Sequence, residues 1–436
     1  MPTDPKKKAQ TKAKSQAKRQ VKKAAKKNPG IVIALVAIVV IIVVVAVVLY
    51  LKVPAIHDAV ENIIHPESST NENGTNNNGT SNLILGEGEL KIHFLNVGQG
   101  DCIYIQFPDG KDMLIDCGNK SSNYDFDVTT SYLDNLNSDG AITYLMLTHG
   151  DEDHVDHLDQ IVNRYQISTI YMPNILATPS NSTLKSQVDN LDPAKLAMFT
   201  DADTLDTAVY AKFFIAALSE ENCQIVLNVD QDDTHNTIVI SDESTYELKF
   251  YCMTIAGWTQ NTLKNAHEKN AVSPIGVLTY NGKRILLTGD SNQENEPEFI
   301  SRIGTLDCDV LKVGHHGSET SSTDAFLDAI TCEYAIISCN MDGNTFYHPR
   351  QSTLDRFVAR HYAAIYRTDL NGTIVLTING DGALSFTTEK TATADQEQNG
   401  LTSAEIDTIK EYKTKLSNGE ITQDEYDQKH REIIGW

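Results

Sequence analysis

The chain has 436 residues and carries 59 acidic against 36 basic side chains, a formal net charge of −23 at pH 7. Twelve of the basic residues but only one acidic residue precede position 53, so residues 53–436 keep 24 basic and 58 acidic residues, a net charge of −34. A surface of that sign repels polyanions and argues against a broad nucleic-acid footprint. Because salt screens this field over about 8 Å, a few local cationic groups can still bind a single phosphodiester.

Residues 1–30 are predicted to be a basic cytoplasmic tail, and residues 31–51 a single transmembrane anchor. The tail holds eleven Lys or Arg, and the 21-residue apolar run behind it has no charge. At about 1.5 Å per residue that run can span the roughly 30 Å hydrocarbon core. The positive-inside rule places everything after Lys52 on the extracytoplasmic side of the cell membrane. The alternative is a cleaved signal peptide, but its apolar region is usually only about 7–15 residues long.

Residues 52–86 are predicted to be a flexible polar linker, because the stretch 66–82 is almost free of apolar residues and cannot bury enough surface to fold. Residues 87–389 are predicted to form the folded domain. Its early strands are short and hairpin-like, and its later strands alternate with helices. Strand-rich halves covered by helices indicate an α/β protein, an αββα sandwich. The stretch 174–221 is longer than an ordinary connection and is predicted to be an insertion over or beside the functional site.

The segment His-Gly-Asp-Glu-Asp-His begins at His149, with one residue between it and the apolar run 142–147. If that run is a buried strand, these side chains lie on the turn at its carboxyl end. His149, Asp151 and Asp153 alternate and can converge, while His154 can reach a second position roughly 3.5–4 Å away. Imidazole and carboxylate together suit Zn²⁺ or Mn²⁺. The alternative is a solvated acidic turn, since Asp, Gly and Glu favour loops.

Two later strands also end in potential ligands. Asp290 follows the apolar run 285–287, and the glycine before it lets the carboxylate approach closely enough to bridge two cations. His315 and His316 follow the strand predicted at 309–313, beside bare backbone amides that can bind an anion. Each has a structural alternative, a plain strand-end aspartate in the first case and a structural histidine pair in the second.

Taken together, these segments resemble the metallo-β-lactamase-fold hydrolases, and within them the ComEC-type hydrolase domain of DNA-uptake competence channels. The resemblance covers about residues 88–388. The matching segments are His-Phe-Leu-Asn-Val-Gly-Gln-Gly-Asp at 93–101, Leu-Ile-Asp-Cys-Gly at 114–118, the ligand turn at 147–154, Ile-Leu-Leu-Thr-Gly-Asp at 285–290, Val-Leu-Lys-Val-Gly-His-His-Gly-Ser at 310–318 and His-Pro at 348–349. The resemblance implies an αββα fold, one or two divalent metal ions (Zn²⁺ or Mn²⁺), and a metal-bound hydroxide as the nucleophile.

The resemblance also implies which residues hold each ion. The ligands of one ion would be Asp153, His154, Asp290 and one of His315 and His316, with His316 weakly favoured. Asp290 would bridge to the other ion, held by His149 and Asp151. In most of the superfamily a histidine stands where this chain has Asp151, and a third histidine of that ion is not evident, because Asn270 and its neighbours occupy the region. That second position is therefore predicted to be weak and oxygen-rich.

Other residues are expected to support the ligands or the substrate. Asp116 is expected to lie beneath the metal and orient its ligands, and Asn270 and Ser273 are grouped with it. His348 or Lys312 is expected to help hold a phosphate. With Asp153 and His154 they complete the predicted catalytic set.

The C-terminal part is predicted to be a linker over residues 390–400 followed by a helical hairpin over residues 401–436. Apolar residues recur there at helical spacing, Asn418-Gly419 ends the first helix, and Thr422 with Glu425 forms a capping box for the second. The segment resembles the short C-terminal hairpin called SHOCT. Because about 35 residues cannot bury much core alone, the hairpin is expected to dock on the enzyme or on another copy. The alternative is an uninvolved amphipathic tail.

The function predicted from these features is that of a membrane-anchored extracytoplasmic metal-dependent hydrolase, a phosphodiesterase or nuclease. Its substrate would be single-stranded DNA or a cell-surface phosphodiester such as a decorated teichoic acid. The alternative is a non-catalytic surface adaptor that positions the tail and anchor.

Overall fold

The structure is a computed structural model that describes residues 85–119, 125–137, 139–200, 202–227, 237–241, 245–253, 269–340, 346–391 and 403–434. All of them belong to the compact unit Gly79–Trp436. The predicted basic tail and transmembrane anchor lie outside the described residues, as do nearly all of the polar linker and most of the second linker. Of the helices in the described ranges, none combines the length and the hydropathy needed to cross a membrane.

The described strands form two large sheets and two small ones. In chain order they are β1 (Leu90–Phe94), β2 (Ile103–Gln106), β3 (Asp112–Ile115), β4 (Ala141–Met146), β5 (Gln166–Met172), β6 (Ile175–Ala177), β7 (Asp203–Leu205), β8 (Gln224–Leu227), β9 (Thr237–Ser241), β10 (Tyr246–Tyr251), β11 (Ile275–Tyr280), β12 (Lys283–Leu287), β13 (Leu306–Asp307), β14 (Val310–Lys312), β15 (Ile330–Thr331), β16 (Tyr334–Ile337), β17 (Ala364–Arg367), β18 (Ile374–Ile378) and β19 (Leu384–Thr388). The first sheet has the order β19-β18-β1-β2-β3-β4-β5-β8, and the second the order β17-β16-β14-β12-β11-β10-β9.

Several of the described helices pack on the outer faces of the two sheets, where they share apolar cores with the strands. In chain order they are α1 (Phe126–Leu136), α2 (Glu152–Val155), α3 (Leu158–Arg164), α4 (Ser182–Asp189), α5 (Pro193–Leu196), α6 (Ala208–Ser219), α7 (Glu296–Ile303), α8 (Asp324–Ala329), α9 (Gln351–Ala359), α10 (Thr368–Asn371), α11 (Ser403–Ser417) and α12 (Gln423–Ile434). A short 3₁₀ segment, Gly314–Gly317, follows β14.

Central strands of the two large sheets, such as β1, β14 and β18, bury both of their faces, whereas the edge strands β9 and β19 leave alternate residues exposed. In β1, Leu90, Ile92 and Phe94 point into the core between the two sheets. The alternate residue His93 points the other way, where its Nδ1 lies 2.8 Å from the hydroxyl of Tyr132 on α1. Burying one such apolar side chain contributes about 1.5–3 kcal/mol. The predicted αββα sandwich is confirmed by these layers.

The second sheet follows the same rule. In β12, Ile285 and Leu287 face the core between the sheets, whereas Leu286 faces a separate core with Phe299 of α7 and Phe326 of α8. Within each sheet one half is parallel: β3, β4, β5 and β8 in the first, and β12, β14, β16 and β17 in the second. Parallel strands end at a common edge, so the residues that follow them lie close together.

The segment predicted to be an insertion is part of the outer helical layer. Its helix α6 is largely buried and belongs to the apolar core on the outer side of the first sheet. A Cβ built on Gly150 would lie 2.6 Å from Leu205 Cδ2 and 3.6 Å from Tyr210 Cδ2, so the segment packs directly beside the ligand turn. Its position therefore supports the turn.

The C-terminal hairpin forms as predicted from the sequence. Thr422 and Glu425 make both bonds of the capping box: the Thr422 amide donates to the Glu425 carboxylate at 2.7 Å, and the Glu425 amide donates to Thr422 Oγ1 at 3.2 Å. Lys410 of α11 places its ammonium 5.7 Å from the centre of the Tyr347 ring. The resemblance of this hairpin to SHOCT remains a prediction.

Candidate metal centre

The predicted ligand turn is fastened to neighbouring loops through its backbone. The Asp101 amide donates to the Asp153 carbonyl at 3.1 Å, and the Cys117 amide donates to the His154 carbonyl at 2.9 Å. Gly118 is needed for this approach, because a Cβ there would lie 2.1 Å from the backbone of Asp153 and His154. These contacts hold the first turn of α2, and with it two buried ligands, at the edge of the first sheet.

Asp290, which follows β12, reaches across from the second sheet and divides the site into two halves. Its Oδ1 lies 3.1 Å from His154 Nε2 and 3.4 Å from His316 Nε2. Its Oδ2 lies 3.8 Å from His149 Nε2 and 3.8 Å from His315 Nε2. One carboxylate oxygen thus faces each half, the arrangement expected of a bridging ligand.

The half on the Oδ1 side has its imidazoles locked in orientation. His154 Nδ1 lies 2.7 Å from Asp116 Oδ2, and His316 Nδ1 lies 2.8 Å from the Ser338 carbonyl. A carbonyl oxygen can only accept, so the proton of a neutral His316 is on Nδ1. When His154 is also neutral, as a metal ligand must be, its proton is on the Nδ1 that faces Asp116, and the two Nε2 atoms, 3.3 Å apart, both carry lone pairs. Asp153 Oδ2 lies 3.6 Å from His316 Nε2, so imidazole nitrogens and carboxylate oxygens converge on one small volume, which fits a bound cation.

Asp116 is the orienting carboxylate that the resemblance implies. Besides the contact with His154, its Oδ1 accepts from the Thr148 amide at 2.8 Å and its Oδ2 accepts from the Thr148 hydroxyl at 2.7 Å. The same hydroxyl lies 3.1 Å from His149 Nδ1. Because the hydroxyl has already given its hydrogen to Asp116, it accepts from His149, and the Nε2 lone pair of His149 points toward Asp290.

The half on the Oδ2 side has a different composition. His149 Nε2 faces Asp151 Oδ2 at 3.9 Å, and the other oxygen of Asp151 is 2.8 Å from the ammonium of Lys269. Asn270 Nδ2 lies 3.0 Å from His315 Nε2, and Ser273 Oγ lies 3.3 Å from His149 Nδ1. Asn270 and Ser273 therefore contact two of the predicted ligands.

The histidine pair divides between the two halves. His316 is buried and converges with Asp153 and His154, whereas His315 lies on the Oδ2 side with a side chain that is 17% exposed. Both residues have a positive φ, in a short 3₁₀ segment whose glycine neighbours allow the tight turn. That turn sends consecutive imidazoles to opposite oxygens of Asp290.

Burial and neighbouring charges set the ionisation of the site. Burial alone would raise the pKa of Asp290, but His316, His154 and His315 hold it well below its ordinary value. Burial also opposes a charge on His154, yet Asp290 and Asp116 raise the pKa of that imidazole well above its usual range. Burial lowers the pKa of His149 to about 3, so His149 is neutral. The contact between Asp290 and His154 therefore favours a positive charge, and a bound metal ion would provide that charge.

Lys312 does not hold a phosphate, and that prediction is wrong. Its side chain is 0% exposed, and its ammonium pairs at 2.9 Å with Asp101, which is equally buried. The pair lies behind the ligands, since Asp101 Oδ1 is 3.7 Å from His316 Nδ1. Burial would raise the pKa of Asp101, but Lys312 and then His316 bring it below its ordinary value. A buried lysine paired in this way packs behind the metal ligands and cannot reach a substrate.

His348 stands at the rim of the Oδ2 half. Its ring centre lies 5.3 Å from that of His315, and the side chain is largely buried. Burial lowers its pKa well below the ordinary value, and the neighbouring His315 and His316 act in the same direction. His348 is therefore a neutral imidazole that can donate or accept a hydrogen bond.

The sequence profile of the metallo-beta-lactamase superfamily matches residues 95–211 and 257–340. The chain has a metallo-β-lactamase fold. This match and the competence-protein relatives described below confirm the predicted resemblance. Together with the convergent His and Asp side chains, they support a metal-dependent hydrolase whose substrate they do not specify.

Two curated relatives of this metallo-β-lactamase-fold chain are competence proteins. It is 25% identical over 301 residues to ComE operon protein 3 of Bacillus subtilis, covering 66% of this chain and 33% of that protein. It is 35% identical over 108 residues to competence protein ComA of Neisseria gonorrhoeae, covering 24% of this chain and 15% of that protein. The chain thus spans a third or less of their length. Among solved structures, the metallo-beta-lactamase fold protein YhfI of Bacillus subtilis has a TM-score of 0.36 at 11% identity, covering 69% of this chain and 100% of YhfI.

Proposed function

We propose that the chain is a metal-dependent phosphodiesterase. The observation that carries the proposal is the convergence of the Nε2 atoms of His154 and His316 on one oxygen of the bridging Asp290, with Asp153 beside them. The donor set of imidazoles and carboxylates suits Zn²⁺ or Mn²⁺. When bound, such an ion supplies an activated water at neutral pH and neutralises charge on the substrate.

The chain's own residues orient the reaction. Asp116 holds His154 through Nδ1, so the ligand cannot rotate away from the site. His348, neutral and at the rim, is placed to donate a hydrogen bond to a phosphate oxygen of the substrate. Asp101 and Lys312 fill the space behind His316 with a neutral pair, which excludes water from the rear of the ligands.

The substrate class is a phosphodiester presented outside the cell. The relatives that carry the name of competence proteins favour single-stranded DNA, whereas the net charge of −34 over residues 53–436 favours a substrate with few phosphates, such as a cell-surface phosphodiester. The apolar run 31–51 and the basic tail before it favour a membrane-anchored, extracytoplasmic location.

Hydrolysis of bis-p-nitrophenyl phosphate by the purified full-length chain, with added Mn²⁺ or Zn²⁺, tests the proposal. We expect metal-dependent release of p-nitrophenol. Asp290→Ala should lose most of the bound metal and at least about a hundredfold in rate, because it removes the shared ligand of both halves. Asp189→Ala is the matched control, since Asp189 is an exposed aspartate paired with Lys185 on α4.

Parallel assays with single-stranded DNA separate the two substrates within the class. Faster turnover of DNA than of the small diester would favour the nuclease. Absence of metal-dependent cleavage of either substrate would contradict a phosphodiesterase and favour an adaptor, whereas full activity of Asp290→Ala would contradict the assignment of Asp290 to the metal centre.

A further inference from the structure

A lysine ammonium lies inside the half of the centre that faces Asp290 Oδ2. Lys269 Nζ is 2.8 Å from Asp151 Oδ1, and the two side chains are only 18% and 19% exposed. The other oxygen of Asp151 faces His149 Nε2 at 3.9 Å. The carboxylate that would bind a cation on this side is therefore already paired with a positive charge.

The two halves differ in what their acceptor atoms face. On the Oδ1 side, Asp153, His154 and His316 present oxygen and nitrogen atoms to one another within 4.8 Å. Among the residues that the structure describes on the Oδ2 side, His149 Nε2 also faces the Asp290 carboxylate, but the other two potential ligands are paired with donors. Lys269 faces Asp151, and the Asn270 amide faces His315 Nε2 at 3.0 Å. The first half is therefore the better cation site, because in the second half Asp151 already faces a positive charge and His315 already faces an amide donor.

We propose that the centre binds one divalent ion tightly, on the Asp153, His154 and His316 side of Asp290, and that the Lys269 ammonium provides the positive charge on the other side in place of a second ion. A divalent ion beside Asp151 would be repelled by the ammonium and would share its carboxylate with it. The ammonium is also a compact donor with three hydrogens. One of them is directed at Asp151, and the others can serve an oxygen of a bound phosphate.

This assignment deepens the proposed phosphodiesterase and, for the phosphate contact, rests on it. The count of metal ions does not depend on the substrate. It can be measured on the full-length chain without any turnover, so a failure of the proposed activity and a failure of the one-ion assignment give different results.

The experiment is a Mn²⁺ titration of the purified full-length chain, with free Mn²⁺ followed by its electron paramagnetic resonance signal. We expect the natural chain to bind one ion at least about tenfold more tightly than any second. Lys269→Met removes the charge and keeps the length of the side chain. It should bind two ions with dissociation constants within about tenfold of each other, and two adjacent ions should give an exchange-coupled signal.

Two further variants serve as controls. Lys269→Arg keeps the positive charge and should bind one tight ion. Lys185→Met removes the lysine of the exposed pair with Asp189 and should also behave as the natural chain does. Circular dichroism melting checks that each variant is folded. Two ions of equal affinity in the natural chain would overturn the assignment, and so would a single tight ion in folded Lys269→Met.

Discussion

Asp116 joins the fold to the chemistry of the site through one buried carboxylate. It accepts from the Thr148 amide, the Thr148 hydroxyl and His154 Nδ1, all within 2.8 Å. Burial alone raises the pKa of Asp116, and even though His154 and the bonds from Thr148 pull it down, it stays above its ordinary value. Burying a carboxylate costs free energy, and the bonds that Asp116 makes indicate that its role is to hold the orientation of His154.

Replacing Asp116 should weaken metal binding without removing a ligand. We expect Asp116→Ala to lose about 10–100-fold in affinity for Mn²⁺ or Zn²⁺, because His154 would no longer be held with its Nε2 toward Asp290. Competition with a chromogenic chelator measures the affinity. Asp116→Asn, which keeps one acceptor for His154, should lose less. Equal affinity in Asp116→Ala and the natural chain would mean that His154 is oriented by packing alone.

Elements set the site by where their strands end. The ligand turn follows β4, Asp290 follows β12 and the histidine pair follows β14, so each parallel half delivers side chains to one edge. Glycines then allow the turns to approach. Gly118 touches the backbone of the ligand turn, whereas Gly380, in another loop, has only ordinary contact at 3.5 Å.

A methyl group at Gly118 should displace the ligand turn. A Cβ there would lie 2.1 Å from the Asp153 and His154 backbone, far inside contact distance. We expect Gly118→Ala to lower the free energy of unfolding by at least about 2 kcal/mol and to weaken metal binding. Gly380→Ala is the matched control, and urea denaturation with a metal titration measures both properties. Equal stability of Gly118→Ala and Gly380→Ala would contradict the close packing of Gly118 against the ligand turn.

The sequence predicts the ligands that follow apolar strands, because a strand end fixes both the position and the direction of the next few side chains. His149, Asp153, His154 and Asp290 are found in this way. The hydrogen bond from His316 to the Ser338 carbonyl is not predictable, since every residue has a backbone carbonyl and spacing does not distinguish one from another.

The roles of two lysines, Lys312 and Lys269, are not predicted correctly from the sequence. Lys312 was expected at the phosphate, but a lysine inside an apolar strand must find a buried partner, which Asp101 provides. The prediction from sequence does not include Lys269, although Lys269 adjoins Asn270 in the region where a third histidine ligand is missing. A lysine next to a predicted metal position that lacks one ligand is the feature of the sequence that indicates this contact.

The whole molecule separates its charges along the chain. The first 52 residues are basic and the remaining 384 carry −34, a division that suits a tail held at an anionic inner membrane surface and a soluble acidic domain beyond it. The residues that would connect the two lie outside the described ranges, so the arrangement remains a prediction from sequence.

Protease added to intact cells should distinguish the two orientations. We expect residues beyond about 55 to be degraded while the first 28 stay protected, because the basic tail is retained in the cytoplasm. Antibodies against tags at the two ends report the fragments, and permeabilised cells, in which both ends should be cleaved, provide the control. A protected enzyme domain in intact cells would reverse the orientation.

The bridging position of Asp290 has a consequence for folding as well as for chemistry. His154 belongs to the first sheet and Asp290 and His316 to the second, so an ion bound by all three acts as a cross-link between the two halves of the sandwich. Such a ligand stabilises the folded state by RT ln(1 + [M]/Kd), about 4 kcal/mol when the ion is present at a thousand times its dissociation constant. The supply of trace metal would then set how long the folded chain survives as well as how fast it works.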